Sequence, residues 1–378
     1  MKWNIVKLGD YINILSGYPF ESNLFNESNG TPVIRIRDVK RGFTNTYYKG
    51  KVDSNFLITK GDILVGMDGE FNTARWSSEP ALLNQRVCKI TSKDKSKLSE
   101  NYLIYFLPKK LKEIEDRTSF ATVKHLSVKG INQIEIPLPP LHIQEQIADT
   151  LDKADALRRK DQELLQKYDE LAQAVFYDMF GDPVKRNVDD ALALSELCVL
   201  NPKKSEITLA EDAMVSFVPM EDVDEKGNVH AHKTREYKDV STGFTYFRER
   251  DVLFAKITPC MENGKGGIAC NLTNGVGFGS TEFHVIRPGS SLSSEFLSTL
   301  FSLKSVRKEA EKMMTGSAGQ KRVPKTFFDA IKIGRINDQK VKSFDRAYQL
   351  VKSSRNGTQK CFSESSLLFK SLLSSFFS

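Results

Sequence analysis

The sequence predicts an α+β chain in which one unit is used twice, each copy a strand-rich piece followed by a long helix. Two observations carry that reading: short motifs recur in the same order along the chain, and the hydrophobic period switches once in each half. Gly61-Asp62-Ile63-Leu64-Val65 returns as Arg250-Asp251-Val252-Leu253-Phe254, 189 residues on. Leu98-Ser99-Glu100-Asn101-Tyr102-Leu103 returns as Leu292-Ser293-Ser294-Glu295-Phe296-Leu297 at an offset of 194. Ile134-Glu135-Ile136 returns as Ile331-Lys332-Ile333, and Leu171, Val175, Phe176 and Phe180 return as Leu368, Leu372, Leu373 and Phe377, both at 197. An offset that drifts slowly is what insertions in loops produce, so the chain reads as two halves rather than a solenoid.

Taken in order, the first piece spans 1–138. Its short β-branched runs are Val33-Ile34-Arg35-Ile36, Asp62-Ile63-Leu64-Val65 and Arg86-Val87-Cys88-Lys89-Ile90, separated by glycine, asparagine and serine clusters. One helical stretch, Glu100 to Glu115, interrupts them. The second piece, 139–181, follows Pro137-Leu138-Pro139-Pro140. Ile143, Ile147, Leu151, Ala154, Leu157, Leu164, Tyr168, Leu171, Val175 and Met179 fall at helical spacing, until Gly181 and Pro183 stop the run. A helix over 142–179 would be ~57 Å long, a coiled-coil-like spacer rather than an ordinary domain helix. The third piece, 182–334, has strand-like runs at Met214–Val218, Asp251–Phe254 and Glu282–Ile286. The fourth, 335–378, is a helix from Gln339 to Phe377 with Val341, Phe344, Tyr348, Val351, Leu368, Leu372 and Phe376 as its stripe. Asn356-Gly357 weakens its middle and leaves its continuity open.

Composition bounds the function. The chain carries 55 Lys and Arg against 48 Asp and Glu, a formal charge of +7, and 40% of it is hydrophobic, an ordinary globular balance. No run approaches the ~18 apolar residues of a membrane span, and Met1-Lys2-Trp3-Asn4 does not begin a signal peptide. Five dispersed cysteines without a CxxC pair argue against a disulfide scaffold or zinc ribbon, and the expected compartment is a reducing cytoplasm. Charge is uneven: residues 1–138 are net +6, 139–180 net −4, 181–334 neutral and 335–378 net +5. An acidic first helix and a basic second one would attract each other if packed side by side, or each has simply a solvated face. The first strand-rich piece has the charge of a nucleic-acid binder, with Arg35, Arg37, Lys40 and Arg41 within seven residues. In the second, charge must be local, and its best cluster runs from Lys312 to Lys325 around the basic loop Gly316–Arg322. A loop at the same place in the first half is Thr118–His125.

There is no GxxxxGK[ST] phosphate loop, HExxH zinc site or GxSxG elbow. Glycines at 264–267 and 277–279 read as strand turns, and Asn201-Pro202-Lys203-Lys204 lacks the aromatic that an amino-methyltransferase motif stacks on a flipped base. His230 and His232, with Cys260 and Cys270 imagined nearby, read as surface histidines and packed thiols rather than metal ligands.

The residues do resemble one family. Trp3–Asp10, Lys60–Gly69, Leu82–Val87 and, most specifically, Ile136-Pro137-Leu138-Pro139-Pro140-Leu141-His142-Ile143-Gln144-Glu145-Gln146 are similar to the specificity (S) subunits of type I restriction-modification enzymes. Asp251–Lys265 and Gly277–Val285 continue the match, whereas the second proline turn is degraded to Ile333-Gly334-Arg335-Ile336-Asn337-Asp338-Gln339. The resemblance implies two target-recognition domains, each reading half of a split site in double-stranded DNA, separated by two long antiparallel helices with pseudo-two-fold symmetry. It implies helices that set half-site spacing and dock two methyltransferase (M) subunits, with restriction (R) subunits beyond. No cofactor is expected on this chain; S-adenosylmethionine, ATP and Mg are expected in the partners, and no catalytic residue here.

Charge, amide chemistry and loop position nominate DNA contacts: Arg35, Arg37, Lys40, Arg75, Gln85, Arg86 and Lys124 in the first domain, and Lys203, Lys256, Lys265, Gln320, Lys321 and Arg322 in the second. Ile143, Ile147, Leu151, Leu164, Leu171, Phe176, Phe344, Leu368 and Leu372 are nominated as the partner-binding helix residues. A stand-alone sequence-specific DNA binder, a self-contained nuclease or methyltransferase, and a helical scaffold remain as alternatives.

Overall fold

Strands Ile63–Gly66 and Val252–Ala255 are buried at every residue. That is what a central strand covered on both faces requires, and it explains why the repeated motif is apolar without alternation. The computed structural model describes residues 3–117, 124–184, 191–317, 319–334 and 336–377. By contacts the chain forms two units: Met1–Asp161 with Cys361–Ser378, and Gln162–Lys360. Each unit therefore combines a strand-rich part with a portion of both long helices, a grouping that cuts across the four-part division drawn from the sequence.

In the first unit an antiparallel sheet runs in the order Ile12–Ser16, Val87–Ser92, Ile63–Gly66, Thr73–Arg75. A second sheet runs Phe25–Asn26, Tyr47–Tyr48, Thr31–Ile34, Ala81–Leu83, Leu57–Ile58, with Thr31–Ile34 and Ala81–Leu83 parallel. Ile5–Lys7 pairs with Glu135–Pro137. The second unit repeats this plan. Its first sheet runs Cys198–Leu200, Phe283–Pro288, Val252–Ala255, Gly266–Ile268. Its second runs Thr234–Glu236, Met214–Val218, Val276–Gly279, Thr245–Arg248, again with one parallel pair, Met214–Val218 with Val276–Gly279. Leu192–Ala193 pairs with Lys332–Ile333. The duplication seen in short motifs is a duplication of topology.

Helix Glu100–Arg117 packs Tyr102, Phe106 and Leu107 into the first core, beside Ile147 and Leu151 of the long helix Leu141–Phe180 and Phe377 of the long helix Asp338–Phe377. The second unit has two shorter helices in that place, Ser294–Ser302 and Lys304–Met313. Its core joins Phe176 and Phe180 to Phe296 and Phe344, ring centroids 4.9–5.6 Å apart.

Both long helices have 40 residues. The first begins on the proline turn because Gln144, fully buried, fastens it: its Oε1 accepts from the Ser99 N–H at 2.9 Å, and its Nε2 donates to the carbonyls of Lys97 and Pro139, each at 2.8 Å. It ends at Gly181, whose φ of 72° and N–H bond to Tyr177 O form the expected glycine cap. The second begins despite its degraded turn because the Asn337 carboxamide accepts from the Lys340 N–H at 2.8 Å. It runs unbroken through Asn356-Gly357. Within each unit the two helices run antiparallel. In the first, Arg158 lies over Phe369 and the Ser365 hydroxyl donates to buried Asp161 at 2.8 Å. In the second, Arg355 pairs with Asp169 at 2.6 Å and Phe176 meets Phe344. No helix among the described residues is long and apolar enough to cross a membrane.

Candidate nucleic-acid interface

The repeated aspartate sets up the first sheet of each unit. Asp62 accepts from the Thr59 N–H at 2.8 Å and pairs with Lys89 at 2.9 Å. Asp251 accepts from the Arg248 N–H at 2.8 Å and takes Arg287 in two prongs at 2.7 Å. Both carboxylates cap the turn into the buried strand and neutralise a base on its neighbour.

The strand then runs out into a backbone frame that is the same in both units. In the first, Met67 N–H donates to Arg86 O at 3.0 Å, Leu126 N–H to Met67 O at 2.7 Å and Gly69 N–H to Lys124 O at 2.9 Å. In the second, Lys256 N–H donates to Glu282 O at 2.9 Å, Val323 N–H to Lys256 O at 2.8 Å and Thr258 N–H to Lys321 O at 3.0 Å. Arg86 thus corresponds to Glu282, Asp68 to Ile257, His125 to Arg322 and Lys124 to Lys321. The two basic loops that the sequence placed at one point of the repeat do meet the same strand end. Residues 118–123 and Ala318 of those loops lie outside the described residues.

The side chains on this frame differ. In the first unit Asp68 takes the Arg86 guanidinium on one oxygen and His125 Nδ1 on the other at 2.6 Å, with Arg86 58% and His125 64% exposed. In the second, Glu282 takes Arg322 Nη2 at 2.8 Å and Nε at 3.0 Å. The Arg322 hydrogen bonds hold the Glu282 carboxyl below its ordinary range. Arg322 Nη1 also donates to Gln320 O at 3.2 Å.

Some of the other nominated residues lie beside the same ends. Gln85 is exposed, its N–H bonded to Asn84 Oδ1. Gly17 lies against that corner so closely that a Cβ would sit 2.1 Å from Asn84 O, and neighbouring Tyr18 stays half-exposed. Arg35 precedes the 3-10 turn Ile36–Asp38 and Arg37 sits within it, where the sequence had extended the strand. Asp38 breaks it by accepting from the Arg35 N–H at 2.9 Å. Ile36 packs over Gly66, which brings this turn beside the strand end. Lys40 pairs with Glu70 at 2.6 Å on the surface. Gln320 and Lys321 are exposed, Lys256 is half-buried, and Lys203 is exposed ahead of the turn Lys204–Glu206.

Three nominated bases are occupied structurally. Arg75 donates to Gly61 O and to Asn101 Oδ1, each at 2.7 Å, clasping strand to helix. In the second unit Arg250 performs that clasp with buried Glu295, the residue corresponding to Asn101. Lys265 reaches Met220 O at 3.3 Å and holds the turn Met220–Asp222, while Lys124 Nζ donates to Glu115 O at 2.6 Å. Asp68, His125 and Glu282 were not nominated. Their signal in the sequence was adjacency to the duplicated motifs, which a search for basic and amide groups passes over.

Of the helix residues, Ile147, Leu151, Phe176 and Phe344 are buried within their own units. Ile143 and Leu372 are half-buried, and Leu164, Leu171 and Leu368 are exposed. His230 lies 3.9 Å from Asp224, and its ring is 6.4 Å from that of His232. Among the described residues no group of three or more His, Cys, Asp or Glu is arranged to hold a metal.

Residues 1–167 match the family of the type I restriction modification DNA specificity domain. Over those residues the chain is similar to the specificity subunits of type I restriction-modification systems. Over 178 residues the chain is 40% identical to the EcoBI specificity subunit of Escherichia coli, covering 46% of this chain and 37% of that protein. Over 139 residues it is 42% identical to the EcoAI specificity subunit, covering 36% and 23%. The chain thus aligns with well under half the length of these relatives. The whole fold is shared more widely: the type I system S subunit of M. genitalium superposes with a TM-score of 0.56 at 15% identity, covering 99% of this chain and 95% of that one. A chain from a type I system complex-assembly structure gives 0.54 at 16%, covering 100% and 97%. The specificity-domain match lies almost wholly in the first unit, and the likeness to the solved structures, which is one of fold, covers both.

Proposed function

We propose that this chain is the DNA sequence-specificity subunit of a type I restriction-modification complex, a non-catalytic reader working in the cytoplasm. Each strand-rich part contacts one half of a bipartite site in double-stranded DNA, and the long helices set the distance between halves. The observation that carries the reading is the duplicated strand end, where one backbone frame presents exposed Gln85 and Arg86 in one unit and Gln320, Lys321 and Arg322 in the other. Basic groups there supply sequence-independent affinity by counterion release, and donors aimed at base edges supply selection.

The partners are two methyltransferase subunits, which bring S-adenosylmethionine, and restriction subunits, which bring ATP and Mg. Leu157, Leu164 and Leu171, seven residues apart on the first long helix, are 50%, 39% and 45% exposed and form an apolar row suited to a partner helix. Leu350, Leu367 and Leu368 are exposed on the second. Co-expression with a methyltransferase subunit, followed by sequencing of host DNA for methyl-adenine, tests the reading. A methylated split motif that needs both chains is the expected result; sequence-specific binding by the chain with no partner complex would instead favour a stand-alone binder.

A further inference from the structure

The two acid–arginine couples carry an inference that rests on this function and deepens it. Arginine has five N–H donors in a fixed plane. Arg322 spends Nε and one Nη2 hydrogen on Glu282 and one Nη1 hydrogen on Gln320 O, so each terminal nitrogen keeps one further donor. Two remaining donors on one guanidinium are the number that the O6 and N7 acceptors of guanine in the major groove take. Arg86 spends one Nη1 hydrogen on Asp68, which His125 holds from its other oxygen.

The acid does two further things. It fixes the guanidinium before DNA arrives, sparing part of the entropy of ordering a long side chain. It also places a negative charge where a phosphate would otherwise sit, so the arginine is discouraged from backbone contact and left for a base. The couple recurs on the same backbone frame, yet is built with opposite placement: in the first unit the arginine precedes the strand Val87–Ser92 and the acid follows Ile63–Gly66. In the second the acid precedes Phe283–Pro288 and the arginine comes from the loop. A purely structural clasp would have no reason to be rebuilt from different positions at an exposed point of the backbone frame that both units share.

We infer that Arg86 with Asp68, and Arg322 with Glu282, are base-reading stations, one per recognition domain, each selecting a guanine. Asp68 and Glu282 are positioning residues in this scheme. The test uses the complex co-expressed with a methyltransferase subunit and reads the methylated motif by sequencing. The wild-type motif should contain a guanine in each half-site. Glu282→Gln and Arg322→Ala should relax one guanine in one half-site by about 10-fold or more while the other half stays intact. Asp68→Asn and Arg86→Ala should do the reverse. Glu282→Gln and Asp68→Asn should also raise affinity for nonspecific DNA, an effect absent if the acids only stabilise the fold. Arg322→Lys, which keeps the charge but loses the fork, should fail to restore selection and gives the reading a variant that is mild to the fold. A wild-type split motif left unchanged in all these variants overturns the stations alone, and a wild type without any split motif overturns the function beneath them as well.

Discussion

Asp62 and Asp251 show how one residue can justify a repeated motif. Each caps a turn and meets a base on the neighbouring strand, but Asp251 is the more deeply placed, its side chain 2% and that of Arg287 15% exposed. Removing Asp251 takes two charged hydrogen bonds from Arg287 and leaves it only Glu206, so Asp251→Ala should cost ~3 kcal/mol in denaturant unfolding. Asp62→Ala, with Lys89 in a wetter setting, should cost less. His284 makes a pH prediction. Burial holds its imidazole below the ordinary value of 6.5, with Nε2 at 2.8 Å from Val323 O. The unfolded chain therefore binds the proton more readily than the folded one. Stability should be fully present above about pH 6.5 and fall as the pH drops from there towards the folded value. A His284→Asn protein should show a flatter acid limb in thermal melts between pH 7 and 5. The repeated aspartates were legible in the sequence because both copies keep them. Asp68 and Glu282 were not, because their partners lie 18 and 40 residues away and only the folded frame brings them together.

Among the elements, the long helices were the most legible. Their apolar spacing located both to within a residue at each end, since a 3.6-residue period sustained over 40 residues is hard to mimic. What spacing left open was which apolar residues turn inward. Ile147 and Phe176 do, while Leu164 and Leu171 stay out, and only the packing of neighbouring helices separates them. The strand predicted over 33–36 stopped at Ile34, because Asp38 bonds back to the Arg35 N–H and tightens the chain into a turn. Gly357 sits exposed inside a continuous helix, and an added Cβ would meet nothing within 4 Å. Gly357→Ala should therefore stabilise the chain by about 0.5–1 kcal/mol, read as a higher unfolding midpoint with unchanged slope. Gln144→Ala should do the opposite. It strands one N–H and two carbonyls around a buried helix start, for a loss of about 2–4 kcal/mol.

For the molecule as a whole, the duplication is the organising fact, and short motifs were enough to find it. The sheet orders and the one parallel pair per unit could not be read that way, because strands of two to six residues carry too little pattern to name their neighbours. The boundary between the two units falls within the long helices, at Asp161 in the first and Lys360 in the second. If those helices are the spacer of a split-site reader, lengthening them there changes the spacing without touching either reader. A seven-residue insertion keeps each helix face in phase and adds ~10 Å, about three base pairs of duplex. The most direct measurement is therefore the methylated motif made by a complex whose subunit carries matched seven-residue insertions after Asp161 and Lys360. The account predicts both half-sites unchanged and the gap between them longer by about three base pairs. Methylation of the original motif at its original spacing would contradict it.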